Sequence, residues 1–410
     1  MTELSSNWTL AARWVFPVSG PPIPEGVVTI GGRHVVSVGP RGSRRADVDL
    51  GEVAVLPGLV NAHTHLDLTG LRGQCPPTSD FTSWLRAVIR HRRVVTPEQI
   101  EADIRAGLAE SSRHGTTLLG DIAAQGQSWP VLEKAPIRSV VFYELIGLTE
   151  ARAEQAYKSA QAWLAAHPVT DCCRPGLSPH APYSVRYGLF VLASLLARDA
   201  NCPLAIHLAE SRDELTLLRH HRGPFVPFLE DLGVWDRDGL VRSPTEVLSI
   251  CNMGMPTLFI HGNYLAPAAR VRGNSTVVYC PRTHAAFGHR PHPVQRLLSR
   301  RVRVALGTDS LASNPDLSVL AEIRFLHEHR PDLPGDVLLR MATLSGAEAL
   351  GWADKAGSLE PGKSADLVVV PLAPGTDADP YERLLASDLP VERVLCRGQW
   401  IVADGLQPPP

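Results

Sequence analysis

His63 and His65 stand two residues apart in Leu56-Pro57-Gly58-Leu59-Val60-Asn61-Ala62-His63-Thr64-His65-Leu66-Asp67, just after an apolar run at 53–60. That run predicts a buried strand. Strand side chains alternate faces, so residues i and i+2 point the same way. If the strand continues to its end, the two imidazoles share one side and can grip one metal ion. Zinc accepts histidine nitrogens at about 2.0–2.1 Å, and a catalytic zinc site keeps one position open for water.

One H-x-H pair is a weak signal, but this one has company. His207 follows Pro203-Leu204-Ala205-Ile206, and Glu210 comes three residues later in His207-Leu208-Ala209-Glu210-Ser211. His261 ends the run Thr257-Leu258-Phe259-Ile260, and Asp309 follows an apolar stretch at 302–306 in Gly307-Thr308-Asp309-Ser310. Each candidate ligand or base therefore sits at the C-terminal end of a short apolar stretch, with helical sequence between. A (β/α)8 barrel draws its catalytic groups from those strand ends.

The elements that must position these groups follow the same logic. The spacing predicts strands at 116–120 ending at Asp121, at 137–145, at 176–178 before His180, and at 204–207, 257–261, 276–279 and 302–306. Thr96-Pro97-Glu98-Gln99 predicts a capped helix start, with Thr at the cap and Pro at the first helical position. That helix should run to about His114-Gly115, and a second helix should cover 150–167. Residues 222–256 exceed an ordinary barrel connection and predict an insertion near the mouth of the site. Residues 27–30 and 34–38 flank Gly31-Gly32 as a hairpin, and 366–370, 391–396 and 400–402 return to strand texture. The expected architecture is an α/β fold: a (β/α)8 TIM barrel over 57–356, with a small β-sandwich domain built from 1–56 and 357–410. Pro408-Pro409-Pro410 reads as a loose tail.

The order H-x-H, H-x-x-E, H-G and D resembles the metal-dependent amidohydrolase superfamily. Pro57-Gly58-Leu59-Val60-Asn61-Ala62-His63-Thr64-His65-Leu66-Asp67, with His207-Leu208-Ala209-Glu210-Ser211, is similar to its deaminase and chlorohydrolase branch. The stretch from Gly357 to Leu367 is similar to that branch's C-terminal signature. The resemblance implies that His63, His65, His207 and Asp309 hold one divalent metal. The set is nitrogen-rich with one carboxylate, which suits Zn²⁺ and also Fe²⁺. Two-metal relatives usually bridge their ions with a modified lysine at the end of strand four. Here that strand ends near His180, and Lys134 and Lys158 lie away from strand ends, so one metal is expected.

The same resemblance assigns roles. A bound metal can lower the pKa of water to about 7. Glu210 would deliver a proton to a ring nitrogen as the nucleophile adds, and Asp309 would take the water's proton. His261 would hydrogen-bond the attacking oxygen or the tetrahedral intermediate. His180, in Ser178-Pro179-His180-Ala181-Pro182-Tyr183, resembles a substrate-contacting histidine, and Asp67 and Trp84 are candidates for the pocket wall.

Two departures bear on substrate. The branch commonly carries C-P-x-S-N after strand seven, where this chain has Cys280-Pro281-Arg282-Thr283-His284. A specificity loop has therefore changed, which brings Arg282 and His284 forward as substrate contacts. The acidic residue of a W-P-x-E stretch, used on ribose by adenosyl-type deaminases, has no match in Val88-Ile89-Arg90-His91-Arg92-Arg93. That basic segment, with Arg282 and Arg290, suits a substrate carrying a carboxylate. A solvated surface is the plain alternative for these arginines. The implied activity is hydrolytic deamination of a 6-aminopurine nucleoside, with aminodeoxyfutalosine, an intermediate of menaquinone synthesis, as first candidate. S-adenosylhomocysteine and methylthioadenosine come next, then guanine, cytosine or a chlorinated triazine. A barrel that has lost catalysis and serves as a scaffold is the reading from another class, and it conflicts with a complete ligand set.

Composition sets bounds. Hydrophobic residues make up 44% and charged residues 20% of the 410 positions, ordinary for a globular protein. A net charge of -2 gives no electrostatic case for nucleic acid or an anionic membrane. The seven cysteines are odd in number and form no C-x-x-C pair, which fits a reduced cytoplasmic setting. The first residues lack a basic region followed by an apolar core, so no signal peptide is expected. The partner expected is a small heterocyclic substrate, and the resemblance implies a homodimer.

Overall fold

The computed structural model describes residues 7–42, 45–373 and 379–401. The proline tail and Val402 lie outside the described residues. The N-terminal strands are β1 (Trp8–Val15), β2 (Ile23–Gly31), β3 (His34–Pro40), β4 (Val48–Asp49) and β5 (Val53–Pro57). Eight further strands follow: β6 (Leu59–Thr64), β7 (Thr116–Ala123), β8 (Arg138–Leu145), β9 (Cys173–Pro179), β10 (Leu204–Leu208), β11 (Thr257–His261), β12 (Ser275–Tyr279) and β13 (Arg303–Leu306). The chain closes with β14 (Leu367–Pro371), β15 (Arg393–Cys396) and β16 (Gln399–Ile401).

Strands β6 to β13 form one sheet in sequence order. A parallel bridge between Thr64 and Asp309 brings its last edge back to its first, leaving a nearly closed barrel. Strands β10, β11 and β12 are buried along their whole length, as expected for a parallel sheet covered on both faces. The strands of both chain ends form a second sheet in the order β16-β15-β14-β5-β1-β2-β3, with β4 beside β1. Val15, Val28, Ile30, Val55, Leu367 and Val369 form part of its core. The expected hairpin is present: Gly31 pairs with His34, and Gly32 takes φ +57° in the two-residue loop.

One expectation needs correcting. The apolar run at 53–60 is not a single strand but two, broken at Gly58. β5 pairs with β1 and β14, whereas β6 opens the barrel. Position 58 itself must be glycine, since a Cβ there would sit 1.9 Å from the Thr117 hydroxyl oxygen.

The helices α1 (Phe81–Val94) and α2 (Pro97–Arg113) fill the first crossover. The Gln99 amide donates to the Thr96 hydroxyl, the cap read from sequence, and Gly115 at φ +91° follows the helix end. Residues 222–256 fold as short helices Phe225–Asp231 and Pro244–Ile250 around a 3-10 turn at Arg237–Gly239. By compactness the chain divides into a unit of 1–61, 108–119 and 318–410 and a unit of 62–107 and 120–317. The first takes in more than 1–56 and 357–410, and the second holds every candidate site residue. None of the seven cysteines forms a disulfide. Among the described residues, no helix is long and apolar enough to cross a membrane.

Candidate metal centre and substrate cavity

The candidate ligands converge from three strand ends. The Nε2 atoms of His65 and His207 face each other at 3.3 Å. One Asp309 oxygen lies 3.6 Å from His63 Nε2 and 3.8 Å from His65 Nε2. Donor atoms of His63, His65 and Asp309 fall within 4.8 Å of one another, as do those of His63, His207 and His261. Two nitrogens bound to one tetrahedral zinc at about 2.1 Å would stand about 3.4 Å apart. The donor set therefore fits one divalent cation. No lysine stands at the end of β9, where His180 follows, and Lys158 pairs with Glu154 on an exposed helix face.

Protonation suits ligation. Burial, reinforced by neighbouring histidines, holds His65 and His207 well below the ordinary imidazole value. The His207 Nδ1 hydrogen donates to the His180 carbonyl at 3.1 Å, which leaves Nε2 as the ligating atom. Burial pushes the Asp309 carboxyl up, but the His63 hydrogen bond and the charges of His261, His63 and His65 outweigh it, so it stays well below the usual carboxylate range. Asp309 also accepts from the Ser310 amide at 2.8 Å and the Ser313 hydroxyl at 3.1 Å.

Close backbone approach builds the centre. The amides of Thr308 and Asp309 both donate to the His63 carbonyl at 3.1 Å. A Cβ on Gly307 would lie 2.8 Å from His63 Cβ and 2.8 Å from its carbonyl oxygen. Three residues here adopt left-handed backbone: Ala209 at φ +52°, His261 at +66° and Asp309 at +59°. Such conformations cost about 1–3 kcal/mol each and persist where the surroundings over-determine them.

Glu210 and His261 stand beside the donors, with Glu210 Oε1 3.3 Å from His261 Nε2. Burial, then the charges of Asp309 and Glu214, push the Glu210 carboxyl well above its usual value. The proton-bearing form is thereby favoured over what a solvated glutamate would keep. Burial drops His261 to about 3, so its ring stays neutral.

The centre opens into a cavity of about 270 Å³. Phe81, Trp84, Val88, Phe228, Leu229 and Val234 supply apolar wall, the last three from the segment at 222–256. His180, Glu210, His261 and Asp309 face it, as do the exposed Arg93 and Arg152. The Trp84 indole nitrogen donates to the carbonyls of Cys75 and Ala312, so only its ring is offered to the cavity.

Three sequence candidates stand elsewhere. The Arg282 guanidinium makes a bidentate pair with Asp316 at 2.9 and 2.6 Å and is not part of the cavity lining. His284 Nε2 donates to the Arg290 carbonyl at 2.9 Å, turned into a cluster with Tyr279, His289 and His292. Both stand on the helix Pro281–Ala286 after β12, and neither is among the residues that line this cavity. Asp67 is a wall support, ion-paired with Arg92 at 2.8 Å.

Sequence reading missed Glu144. It lies near the end of β8, lines the cavity, accepts from Arg92 at 3.2 Å and approaches His180 Nε2 at 3.9 Å. The signal was available: a carboxylate near the end of a predicted strand is the same pattern that singled out the other groups.

Residues 54–401 match the Amidohydrolase family, and the chain belongs to it. The protein is accordingly a hydrolase of carbon–nitrogen bonds. A 5-methylthioadenosine/S-adenosylhomocysteine deaminase of Moorella thermoacetica is 30% identical over 95% of this chain and 93% of its own. An aminodeoxyfutalosine deaminase of Nitratiruptor sp. is 27% identical over 78% of this chain and 80% of its own. The crystal structure of an adenosine deaminase from Xanthomonas campestris, with bound zinc, aligns with a TM-score of 0.78 at 25% identity, covering 96% of this chain and 92% of that one.

Proposed function

We propose that this protein is a metal-dependent deaminase that converts a 6-aminopurine nucleoside to its 6-oxo product and ammonia, with aminodeoxyfutalosine as the preferred substrate. The observation that carries the reading is the buried Glu210 carboxyl, pushed above its usual value by burial and 3.3 Å from His261, beside a cluster of metal donors at the base of an apolar cavity. A divalent cation held by His63, His65, His207 and Asp309 would supply Lewis acidity and activate a water for attack. Everything else falls to side chains.

Attack at the amino-bearing carbon pushes electrons onto the adjacent ring nitrogen, and Glu210 delivers the proton that neutralises it there. Asp309, held ionised, accepts the proton of the attacking water and passes it to the departing ammonia. The neutral His261 ring donates a hydrogen bond to the oxygen that gains charge. His180 orients the base from the cavity wall, and the Trp84 and Phe228 rings exclude water from the substrate's outer part.

The preference rests on the rim. A carboxylated, aromatic tail would stack on apolar wall while Arg93 and Arg152 meet its charge. S-adenosylhomocysteine carries a carboxylate but no aromatic ring in its tail, and methylthioadenosine carries neither. The relative at 30% identity supports keeping both as second candidates.

The test is a panel of aminopurine nucleosides with metal-replete protein, read by ammonia release and the ultraviolet shift of 6-amino to 6-oxo purine. Selective turnover of aminodeoxyfutalosine is expected. Silence across the panel with metal bound would overturn the nucleoside reading.

A further inference from the structure

We infer that Glu214 is a positioning residue for Glu210: its carboxylate holds the backbone of the turn that carries Glu210 to the centre. The inference rests on the proton-delivery role given to Glu210 above. By sequence, Ser211-Arg212-Asp213-Glu214 is an ordinary capping box, in which the glutamate reaches back to the cap residue's own amide. The Ser211 hydroxyl accepts from the Glu214 amide at 3.1 Å and starts the helix Arg212–His220, and the Ser211 amide is the weakest of three backbone amides acting on the Glu214 carboxyl.

The carboxylate, however, reaches further up the chain. One Glu214 oxygen accepts from the Ala209 amide at 2.8 Å and the other from the Glu210 amide at 3.0 Å. The carbonyls of the same two residues are held from β11's far side. Ala209 O accepts from the Tyr264 amide at 2.9 Å, and Glu210 O accepts from the Asn263 side-chain amide at 3.0 Å. All four backbone polar groups of Ala209 and Glu210 are thus gripped by residues outside the turn.

That grip answers a specific demand. β10 ends at Leu208, and Ala209 must take left-handed backbone at φ +52° to swing Glu210 back toward the donors. An alanine does not rest there unaided. Glu214 is fully buried and is not part of the cavity lining, so it has no access to substrate. Its carboxylate meets backbone amides, and the amides it meets are those that set the direction of the Glu210 side chain.

The experiment compares wild type with Glu214→Ala and Glu214→Gln. Glutamine keeps the size and one acceptor oxygen but turns the other position into a donor that faces an amide hydrogen. Bound metal, steady-state kinetics on the nucleoside turned over fastest, and deuterium exchange of a peptide spanning 208–212 are measured on each. The expected result is wild-type metal content, exchange of the Ala209 and Glu210 amides at least about 10-fold faster in Glu214→Ala, and kcat down about 10- to 100-fold with KM little changed. Glu214→Gln should fall between, and it keeps the test readable if the alanine variant does not fold. Unchanged exchange, or faster exchange with wild-type kcat, would overturn the inference, as would loss of metal in both variants. A wild type inert toward every nucleoside would sink the proposed function instead, and the exchange readout would still decide whether Glu214 holds this turn.

Discussion

The Nε2 atoms of His65 and His207 face each other at 3.3 Å across a sequence separation of 142 residues. Without a metal the two nitrogens can share one proton, and the same spacing is that of two nitrogens bound to one tetrahedral cation. His207 is fixed in this role by the His180 carbonyl, which holds its Nδ1 hydrogen. Replacing His207 with alanine removes one donor and leaves His63, His65 and Asp309. Metal content after purification and dialysis should drop, with affinity down by at least about 10-fold. Full occupancy at wild-type affinity would take His207 out of the ligand set.

Gly307 makes a separate prediction, because it touches no metal donor through a side chain. A methyl group there would press on His63 Cβ and on the carbonyl that receives the Thr308 and Asp309 amides. Gly307→Ala should separate His63 from Asp309, which now stand at 3.6 Å. Metal affinity should fall about 10- to 100-fold, the usual scale for disturbing the supports of a site. Titration of the stripped protein with Zn²⁺ reads this directly, and an unchanged curve would mean the strands can yield without moving the donors.

The donors were legible in the sequence because each follows a short apolar run, and strand periodicity then fixes the facing of His63 and His65. The register of eight parallel strands does the rest. That Arg282 and His284 stand outside the cavity lining was not legible, because their positions lie just beyond β12, where the chain enters a helix. No periodic pattern in six residues announces that helix. The break at Gly58 was hidden for a related reason: β5 and β6 take different strand partners, and those partners are far away in sequence. Glu144 and Arg152 went unread, and Arg93 was read only as part of a basic segment, because cavity walls are assembled from several elements and facing cannot be counted along one of them.

The two sets of arginines can be separated by substrate. Arg282→Ala breaks the part-buried, bidentate pair with Asp316 and should lower stability while leaving KM within about 2-fold, because the side chain does not line the cavity. Arg93→Ala and Arg152→Ala should raise KM for a carboxylated nucleoside about 10-fold, and much less for methylthioadenosine, which has no carboxylate to meet. Equal effects of both rim variants on the two substrates would remove the charge from the explanation.

Glu210→Gln keeps the shape of the side chain and removes its exchangeable acid proton. Turnover should fall about 10²-fold or more, the scale of general acid–base catalysis, with metal content unchanged. Near-wild-type turnover would take Glu210 out of proton delivery, and with it the reason for gripping its backbone.

Buried carboxyls also set a pH signature for the metal-free protein. Burial pushes Asp121 from 3.8 to about 7 and Glu214 from 4.5 to about 7. Between those lower values and about 7 the native state keeps protons that the unfolded chain has released. Each of these two carboxyls therefore lowers stability as pH rises through that window, by up to about 1.4 kcal/mol per pH unit, while the buried His65, His207 and His261, held below the ordinary imidazole value, act in the opposite direction below about pH 6.5. Asp121 also accepts the Leu66 amide at 2.8 Å, so asparagine, which keeps an acceptor, is the right replacement. In urea unfolding of the stripped protein from about pH 5 to 8, Asp121→Asn and Glu214→Gln should each gain stability relative to wild type as pH rises toward about 7, because each lacks a group that must be ionised while buried. A difference between variant and wild type that stays constant over this range would mean that the group is already ionised in the folded protein, held by its backbone amides more strongly than burial opposes it.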